Sequence, residues 1–273
     1  MRTQAEKAGI FRALHERDGA FVIPNPWDVG TARLLAGLGF EALATTSAGY
    51  AFSVGQRDNT IGRERMLAHA ADIVRATDLP VSADLENGFG DEPATVAETI
   101  RLAAAAGLAG ASIEDATNRP EAPVHELPLA VERVRAASEV ARSLGFPFTL
   151  TARAENHIVG RPDLADTIQR LQAYQEAGAD VLYAPGLASP DEIAAVVRAV
   201  DRPVNVLVPL PRARTSLAEL AGLGVKRVSV GSALSRAALG AFLRAAREMR
   251  EHGTFSFAGD AVPYRDISSM FGP

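Results

Sequence analysis

Residues 81–115, VSADLENGFGDEPATVAETIRLAAAAGLAGASIED, contain the pattern that decides the fold. VSADLE (81–86) and GASIED (110–115) are short, largely apolar runs, as expected of parallel strands that are buried on both faces. Between them, Glu92–Ala106 has the periodicity of an amphipathic helix and ends in the glycine-containing AAGLAG (105–110). This stretch therefore predicts a strand, a helix and a second strand of one parallel α/β sheet.

The same alternation of strand and helix continues along the rest of the chain. Six further strands are predicted at 21–27, 42–47, 148–153, 181–186, 204–208 and 227–231, with helices at Asp28–Leu38, Leu129–Leu144 and Asp163–Ala177. Eight such units favour a single closed (β/α)8 TIM barrel over residues 1–273. The alternative is an open doubly wound sheet, which usually has a glycine-rich first turn, whereas this one reads PNPWDVG (24–30).

Composition excludes several classes of function. The net charge of −5 argues against a protein that binds nucleic acid through a basic surface. The absence of cysteine excludes disulfides and thiolate chemistry. No segment approaches the ~20 apolar residues that cross a bilayer, and the first residues lack an apolar leader, so we expect a soluble cytoplasmic protein without a membrane partner. Charged residues within the helical patterns, among them Arg133, Arg170, His15 and His69, are predicted to lie on the solvated surface.

Acidic residues stand at the ends of the third and fourth predicted strands. Asp84 and Glu86 are two residues apart and share one side of a strand, and Glu114 ends the neighbouring strand, about 4.8 Å away. Carboxylates crowded at the mouth of a barrel repel one another unless a cation is present. A set of oxygen ligands favours Mg²⁺, or alternatively Mn²⁺, over Zn²⁺. The other interpretation is a salt-bridge cluster, with Asp91 and Asp115 as helix caps.

Two other strand ends suggest binding of an anion. The small residues Ser47, Ala48 and Gly49 would let backbone N–H groups approach a carboxylate, although a simple tight turn also needs small residues. Arg153 offers a two-pronged hydrogen-bond donor to a carboxylate, or serves as a structural partner of Glu114 or Glu155.

Further candidates lie in the loops at the same end of the barrel. Asp58, in an irregular stretch (50–61), and His125 are candidates for acid–base catalysis. Asn205 and the run VPLP (208–211) would close the far side of the site. VGSALSR (230–236) is either a phosphate-binding loop or the start of the last helix, with Ser232 as its N-cap.

Several of these segments, in this order, resemble the isocitrate lyase/phosphoenolpyruvate mutase superfamily: PNPWDVGTARLLAGLGFEALATTSAG (24–49), VSADLENGFGD (81–91), GASIED (110–115), TARAEN (151–156) and AYQEAGADVLYAPG (173–186). The resemblance implies a barrel of the phosphoenolpyruvate/pyruvate type. It also implies Mg²⁺ at Asp84, Glu86 and Glu114, and a 2-oxo acid bound by residues 47–49 and Arg153. We expect Asp84 and Asn205 to contact the same acid. The resemblance further implies a homotetramer, a dimer of dimers in which the C-terminal helix (233–252) is swapped between subunits.

The chain departs from the family pattern where the reaction would be decided. Lyases of the family carry a loop of the form K-[KR]-C-G-H, but the corresponding stretch here is ATNRPEAPVH (116–125), which has neither lysine nor cysteine. The first hypothesis is therefore a Mg²⁺-dependent lyase or decarboxylase that acts beside the enolate of a small 2-oxo or 2-hydroxy mono- or dicarboxylic acid. The alternatives are a phosphonopyruvate hydrolase or phosphoenolpyruvate mutase-like enzyme, and a barrel that binds a 2-oxo acid without converting it.

Overall fold

The computed structural model describes residues 1–208 and 215–271. Its eight strands are β1 (Phe21–Ile23), β2 (Leu43–Ala44), β3 (Val81–Asp84), β4 (Gly110–Glu114), β5 (Thr149–Arg153), β6 (Val181–Tyr183), β7 (Val204–Leu207) and β8 (Arg227–Ser229). All pairings are parallel, and each strand from β2 to β8 lies beside the next, with β8 beside β1. Between β1 and β2, the Ala44 amide donates to the Pro24 carbonyl (3.1 Å). The predicted (β/α)8 barrel is confirmed.

Helices occupy the connections between the strands. Those in the described residues are α1 (Gln4–Glu16), α2 (Val29–Gly37), α3 (Ser47–Ser53), α4 (Arg63–Ala76), α5 (Pro93–Ala105), α6 (Leu127–Ser143), α7 (Leu164–Glu176), α8 (Pro190–Ala199), α9 (Leu217–Gly222), α10 (Ala233–His252) and α11 (Tyr264–Ser269). For the four helices whose boundaries were predicted, α2, α5, α6 and α7, each observed end lies within two residues of the predicted one. The side chains of Asp28 and Asp163 accept from amides of the first turns of α2 and α7, which explains where these helices begin.

Seven of the eight predicted strands are too long at their C-terminal ends, whereas the fifth ends at Arg153 as predicted. Residues 42–47 illustrate the reason, because β2 ends at Ala44 and α3 already begins at Ser47. The Thr46 hydroxyl accepts from the Gly49 amide and so caps α3. The first part of the stretch 50–61, expected to be irregular, is therefore helical as far as Ser53.

The hydrophobic core fills the space between the sheet and the surrounding helices. A second cluster lies at the N-terminal end of the barrel, where Phe11 and Leu14 of α1 pack against Phe21 at the start of β1. This end is therefore covered by α1, and the opposite end carries the polar strand termini. In residues 1–208 and 215–271 no helix has the length and apolar character needed to span a membrane.

Two arginines predicted to lie on the surface are instead buried. Arg133 of α6 is only 1% exposed, and its guanidinium donates to the carbonyl oxygens of Asn87, Gly90 and Asp91 in the loop after β3. Arg170 of α7 is 5% exposed. A guanidinium has five N–H donors, so one arginine can satisfy several carbonyls of an irregular loop. Helical periodicity did not reveal this because the carbonyls lie far away in the sequence.

The helical histidines show a similar correction. His15 and His69 are both buried. Nδ1 of His15 lies 2.8 Å from the Phe11 carbonyl oxygen, and burial, together with the charge of Arg227, lowers the pKa of His15 to about 3. His15 is therefore a neutral residue beneath the barrel rather than a surface group.

Candidate active site

A cavity of about 240 Å³ opens at the C-terminal end of the barrel. All eight strands contribute to its walls, as expected for the active-site end of this fold. Predicted site residues among its lining are Ser47, Ala48, Asp58, Asp84, Arg153 and Asn205. The volume suits a small molecule of a few carbon atoms.

Arg153, the last residue of β5, lies at the centre of the site. Its guanidinium donates to Asp84 Oδ1 (3.0 Å) and to Glu155 Oε1 (2.8 Å), and it lies 3.0 Å from Glu114 Oε2. The register explains this position, because Arg153 stands between Glu114 of β4 and Tyr183 of β6. Its Cζ lies 5.1 Å from the centroid of the Tyr183 ring. Arg153 thus offers its two-pronged donor to acidic residues of the protein itself.

Four acidic residues, Asp84, Glu86, Glu114 and Glu155, form what we call the carboxylate cluster. Burial raises the pKa of Glu114 well above its usual value, against the opposing charge of Arg153. Burial also raises the pKa of Glu155, again opposed by Arg153. One guanidinium does not neutralise four carboxylates, so the cluster needs protons or a cation to be stable.

Glu86 is the member of the cluster with an unsatisfied oxygen. Its backbone has φ of 50°, in the left-handed region that residues other than glycine rarely adopt. The residue is 5% exposed, and Oε1 has no hydrogen-bond partner in the part of the chain that the structure describes. Burial, followed by the charges of Asp84 and Asp58, raises the pKa of Glu86 to about 8. A cation next to this oxygen would remove both penalties.

The donor set fits a hydrated Mg²⁺ or Mn²⁺ ion. Within residues 1–208 and 215–271, no three His, Cys, Asp or Glu side chains converge closely enough to enclose an ion. The guanidinium of Arg153 separates Asp84 from Glu114. Mg²⁺ usually binds one or two carboxylates directly and keeps several waters, so such convergence is not required. All candidate ligands are oxygen atoms, which Mg²⁺ and Mn²⁺ prefer, and the unpartnered Oε1 of Glu86 would bind the ion.

The two candidate acid–base residues lie in different places. Asp58 lines the cavity, and partial burial of its carboxyl group and the charge of Asp84 raise its pKa. His125 is 3% exposed and does not line the cavity; its Nε2 lies 3.6 Å from Asp91 Oδ1. Burial and the nearby Arg133 lower the pKa of His125 to about 4. The structure therefore brings Asp58, and not His125, to the predicted site.

The small residues after β2 occupy the cavity wall, but their amides are partly used. The Ser47 amide donates to Asp84 Oδ2 (3.1 Å), and the Gly49 amide donates to the hydroxyl of Thr46 (3.2 Å). Ser47 and Ala48 line the cavity, whereas Gly49 lies behind them. A Cβ on Gly49 would stand 2.5 Å from Thr46 Cγ2, so packing alone requires glycine there.

The far side of the cavity is formed by β7 and β8. The Asn205 side chain donates to Ser229 Oγ (2.9 Å) and accepts from Arg227 Nε (2.9 Å). In the segment 230–236, the amides of residues 230 and 231 both donate to Asn25 Oδ1 at 2.9 Å, so this loop offers those amides to the protein rather than to a phosphate. Residues 209–211 of the predicted VPLP wall lie outside the described residues.

The sequence did not predict the buried hydrogen bonds around Asp115, which lie beneath the carboxylate cluster. Asp115 does not cap a helix; it accepts from the Glu155 amide (2.8 Å), from Arg170 Nη1 (3.1 Å) and from the Tyr174 hydroxyl (2.6 Å). Burial raises the pKa of Asp115, and the hydrogen bond from Tyr174 opposes the rise. The available signal was an arginine and a tyrosine four residues apart on one face of a predicted helix. Asp115 thereby fixes the backbone that carries Glu155.

Comparisons with known proteins agree with this geometry. The model of the phosphoenolpyruvate phosphomutase family matches residues 11–250. The chain belongs to this family. A crystal structure of a provisionally assigned lyase/mutase from Burkholderia cenocepacia J2315 is 67% identical, with a TM-score of 0.97 and coverage of 99% of this chain and 97% of that one.

Several relatives have named activities, among them two that each span most of this chain. A 2-methylisocitrate lyase of Halalkalibacterium halodurans is 32% identical over 211 residues, 74% of this chain and 68% of that protein. An oxaloacetate decarboxylase of Chromohalobacter salexigens is 30% identical over 257 residues, 91% of this chain and 87% of that protein. The phosphoenolpyruvate phosphomutase superfamily thus contains lyases and mutases of small carboxylic acids, and the chain is an enzyme of that superfamily. The resemblance inferred from the sequence motifs is confirmed.

The Asp115 network yields a stability prediction. Tyr174→Phe removes the hydroxyl that donates to Asp115 and leaves a buried carboxylate with one donor fewer. We expect the free energy of unfolding to fall by about 1–3 kcal/mol, measured by chemical denaturation. The matched control is Tyr264→Phe, because Tyr264 is 86% exposed. Equal stability of the two variants would contradict the role given to this hydrogen bond.

Proposed function

We propose that this enzyme is a Mg²⁺-dependent lyase or decarboxylase acting on a small 2-oxo or 2-hydroxy mono- or dicarboxylic acid. The observation that carries the proposal is the carboxylate cluster with the unpartnered Glu86 oxygen, which lies against Arg153 and reaches the cavity through Asp84. The named activities of the two relatives, on methylisocitrate and on oxaloacetate, support this reaction class.

The residues that would hold the ion are Asp84, Glu86 and Glu114. When bound, Mg²⁺ supplies Lewis-acid stabilisation of the negative charge that develops on the 2-oxo oxygen. Mn²⁺ accepts the same oxygen ligands. A cation in the cluster would also compete with Arg153 for Asp84, which would release guanidinium donors toward the carboxylate of the substrate.

The bond that breaks is the one from C3 of the acid to the departing carbon. Its electron pair stays on C3 as an enolate. When a 2-oxo acid is decarboxylated, the departing fragment is CO₂. When a 2-hydroxy acid is cleaved between C2 and C3, the C2 hydroxyl gives up its proton and the departing fragment is a carbonyl compound. C3 then takes up a proton. We assign these proton transfers to Asp58, a choice supported by its position in the cavity lining and by its raised pKa, which lets it hold a proton closer to neutral pH.

Phosphonate chemistry is less well supported by the loop that follows β4. Arg119 is the only cationic residue in 116–125 apart from the histidine at its end. Its guanidinium donates to Asp91 Oδ2 (2.6 Å), outside the cavity. A phosphonate carries more negative charge than a carboxylate and needs cationic donors near it. Turnover of phosphonopyruvate without turnover of 2-oxo or 2-hydroxy acids would favour the mutase-like alternative.

The metal and substrate assignment is tested at Asp84. Asp84→Ala removes a predicted Mg²⁺ ligand, so we expect titration calorimetry to show no measurable binding of Mg²⁺ or of pyruvate with Mg²⁺. Asp72→Ala is the control, because Asp72 pairs with Arg75 on the exposed side of α4. Thermal unfolding of both variants shows whether they are folded. Unchanged binding to a folded Asp84→Ala protein would rule out the assignment, and binding without any product from a broad acid panel would favour the non-catalytic alternative.

The same proposal covers assembly and location. Among the residues of α10 only Ser235 is buried, and apolar side chains such as Phe242 (67% exposed) and Leu243 (48% exposed) face solvent. An exposed apolar face on a 20-residue helix is typical of a docking surface. We infer that the domain of residues 1–273 assembles into a homotetramer in which helix 233–252 packs on a second copy. Location in the cytoplasm remains an expectation from the sequence.

The assembly is tested by Phe242→Glu. A charge in the middle of a buried apolar contact is costly, so we expect the native mass measured by light scattering to fall toward that of the monomer. Leu38→Glu is the control, because Leu38 is 68% exposed and is the C-cap residue of α2, so it lies outside α10. Identical masses for wild type and Phe242→Glu would contradict the docking of α10.

A further inference from the structure

Small side chains, several of them polar, line the cavity below the carboxylate cluster. Barrel interiors of this type are usually filled by large branched apolar residues. Here the residues that line the cavity from β2, β3, β4, β7 and β8 include Ala44, Ser82, Ser112, Asn205 and Ser229. Their small size keeps the barrel open below the level of Arg153, so the cavity reaches farther down than the predicted metal site.

Arg227, the first residue of β8, lies at the floor of this cavity. The residue is 5% exposed, and it lines the same cavity as Asp84 and Arg153. Its Nη2 donates to the hydroxyl of Thr151 (3.1 Å), two residues before Arg153 on β5. Two residues of a parallel strand rise about 6.6 Å, so the two guanidinium groups belong to different levels of the barrel.

The contacts of Arg227 are all with neutral groups. Nε donates to Asn205 Oδ1 (2.9 Å), Nη2 donates to Thr151, and Nη1 lies 3.3 Å from His15 Nε2. Within residues 1–208 and 215–271 no carboxylate lies within 4.0 Å of its nitrogens, whereas Arg153 contacts three. A guanidinium has five N–H donors, so two remain beyond these three contacts.

A buried arginine charge of this kind is costly without an anion. Burial lowers the pKa of Arg227 to about 10, which still leaves the guanidinium charged at neutral pH. Buried charges in proteins are normally paired with an opposite charge or with a ligand. The acidic residues of the site are engaged one level higher, around Arg153, so no carboxylate in residues 1–208 and 215–271 pairs with Arg227, and a bound anion would supply the missing charge.

We propose that Arg227 binds a second carboxylate of the substrate at the floor of the cavity, so that the enzyme selects short dicarboxylic acids over monocarboxylic ones. One carboxylate and the 2-oxo group would lie at the level of Asp84 and Arg153, and the other carboxylate would extend toward Arg227. This inference rests on the proposed function, because it assumes that the 2-oxo end of the acid binds at the metal site. It adds the identity of the group that recognises the other end.

The test compares acids that differ in one end only. The pairs are 2-oxobutyrate with oxaloacetate and 2-oxopentanoate with 2-oxoglutarate, each titrated in the presence of Mg²⁺. For wild type we expect the diacid of at least one pair to bind about ten- to a hundredfold more tightly than its partner, as charge-assisted hydrogen bonds predict. Arg227→Gln should lose this preference while its affinity for the monoacid changes less than about threefold.

Two further variants keep the test interpretable if Arg227→Gln is poorly folded. Arg227→Lys retains the charge and should keep part of the preference for the diacid. Lys7→Met removes another buried cation, one that donates to the Thr77 carbonyl outside the cavity, and should leave the preference unchanged. Thermal unfolding of every variant accompanies the titrations.

The outcomes separate the two proposals. If wild type binds monoacids and diacids equally, or if Arg227→Gln and Arg227→Lys weaken both to the same extent, the role of Arg227 is contradicted while the metal and 2-oxo acid site stands. If wild type binds none of the four acids in the presence of Mg²⁺, the proposed function fails and this inference fails with it.

Discussion

The guanidinium of Arg153 holds acidic side chains from β3, β4 and the end of β5 within 3.0 Å of its nitrogens, and the candidate site depends on these contacts. Without that cation the carboxylates would repel one another in a place where burial already disfavours their charged forms. Removing one partner from a buried ion pair typically costs about 3–5 kcal/mol. Arg153 therefore keeps an acidic cluster in place, and this cluster has more carboxyl groups than one guanidinium can neutralise, which suits a divalent cation.

The barrel supports this cluster from below. Asp115 accepts three hydrogen bonds, including those from Arg170 and Tyr174 of α7, and so connects the end of β4 to the backbone of Glu155. Arg133 performs a similar task for the carbonyls of the loop after β3, next to Glu86. The left-handed backbone conformation of Glu86 is thus stabilised by the hydrogen bonds that Arg133 of α6 makes to the adjacent loop. The positions of the polar side chains follow from helices that pack outside the barrel.

The sequence predicted the fold and much of the site because these depend on short-range pattern. Asp84, Glu114 and Arg153 were found from their positions at strand ends, and the parallel register brought them together as expected. Burial of charged residues was not predictable in the same way. Arg133 stands in a helical pattern and Arg227 at the start of a predicted strand, so neither position in the sequence indicates the carbonyl, amide and hydroxyl partners that these side chains have in the fold. His125 follows the fourth strand in the sequence, as expected of a residue at the mouth of the barrel, but its side chain is buried beside Asp91 and does not line the cavity.

The metal and 2-oxo acid site is tested most directly by a crystal structure of the enzyme with Mn²⁺ and oxalate, an unreactive analogue of a 2-oxo acid. We expect an anomalous Mn²⁺ peak bound by Asp84 or Glu86, directly or through water, with Glu114 nearby and oxalate in the cavity beside Ser47 and Ala48. Absence of the Mn²⁺ peak from the carboxylate cluster, or oxalate bound outside the cavity, would contradict this assignment.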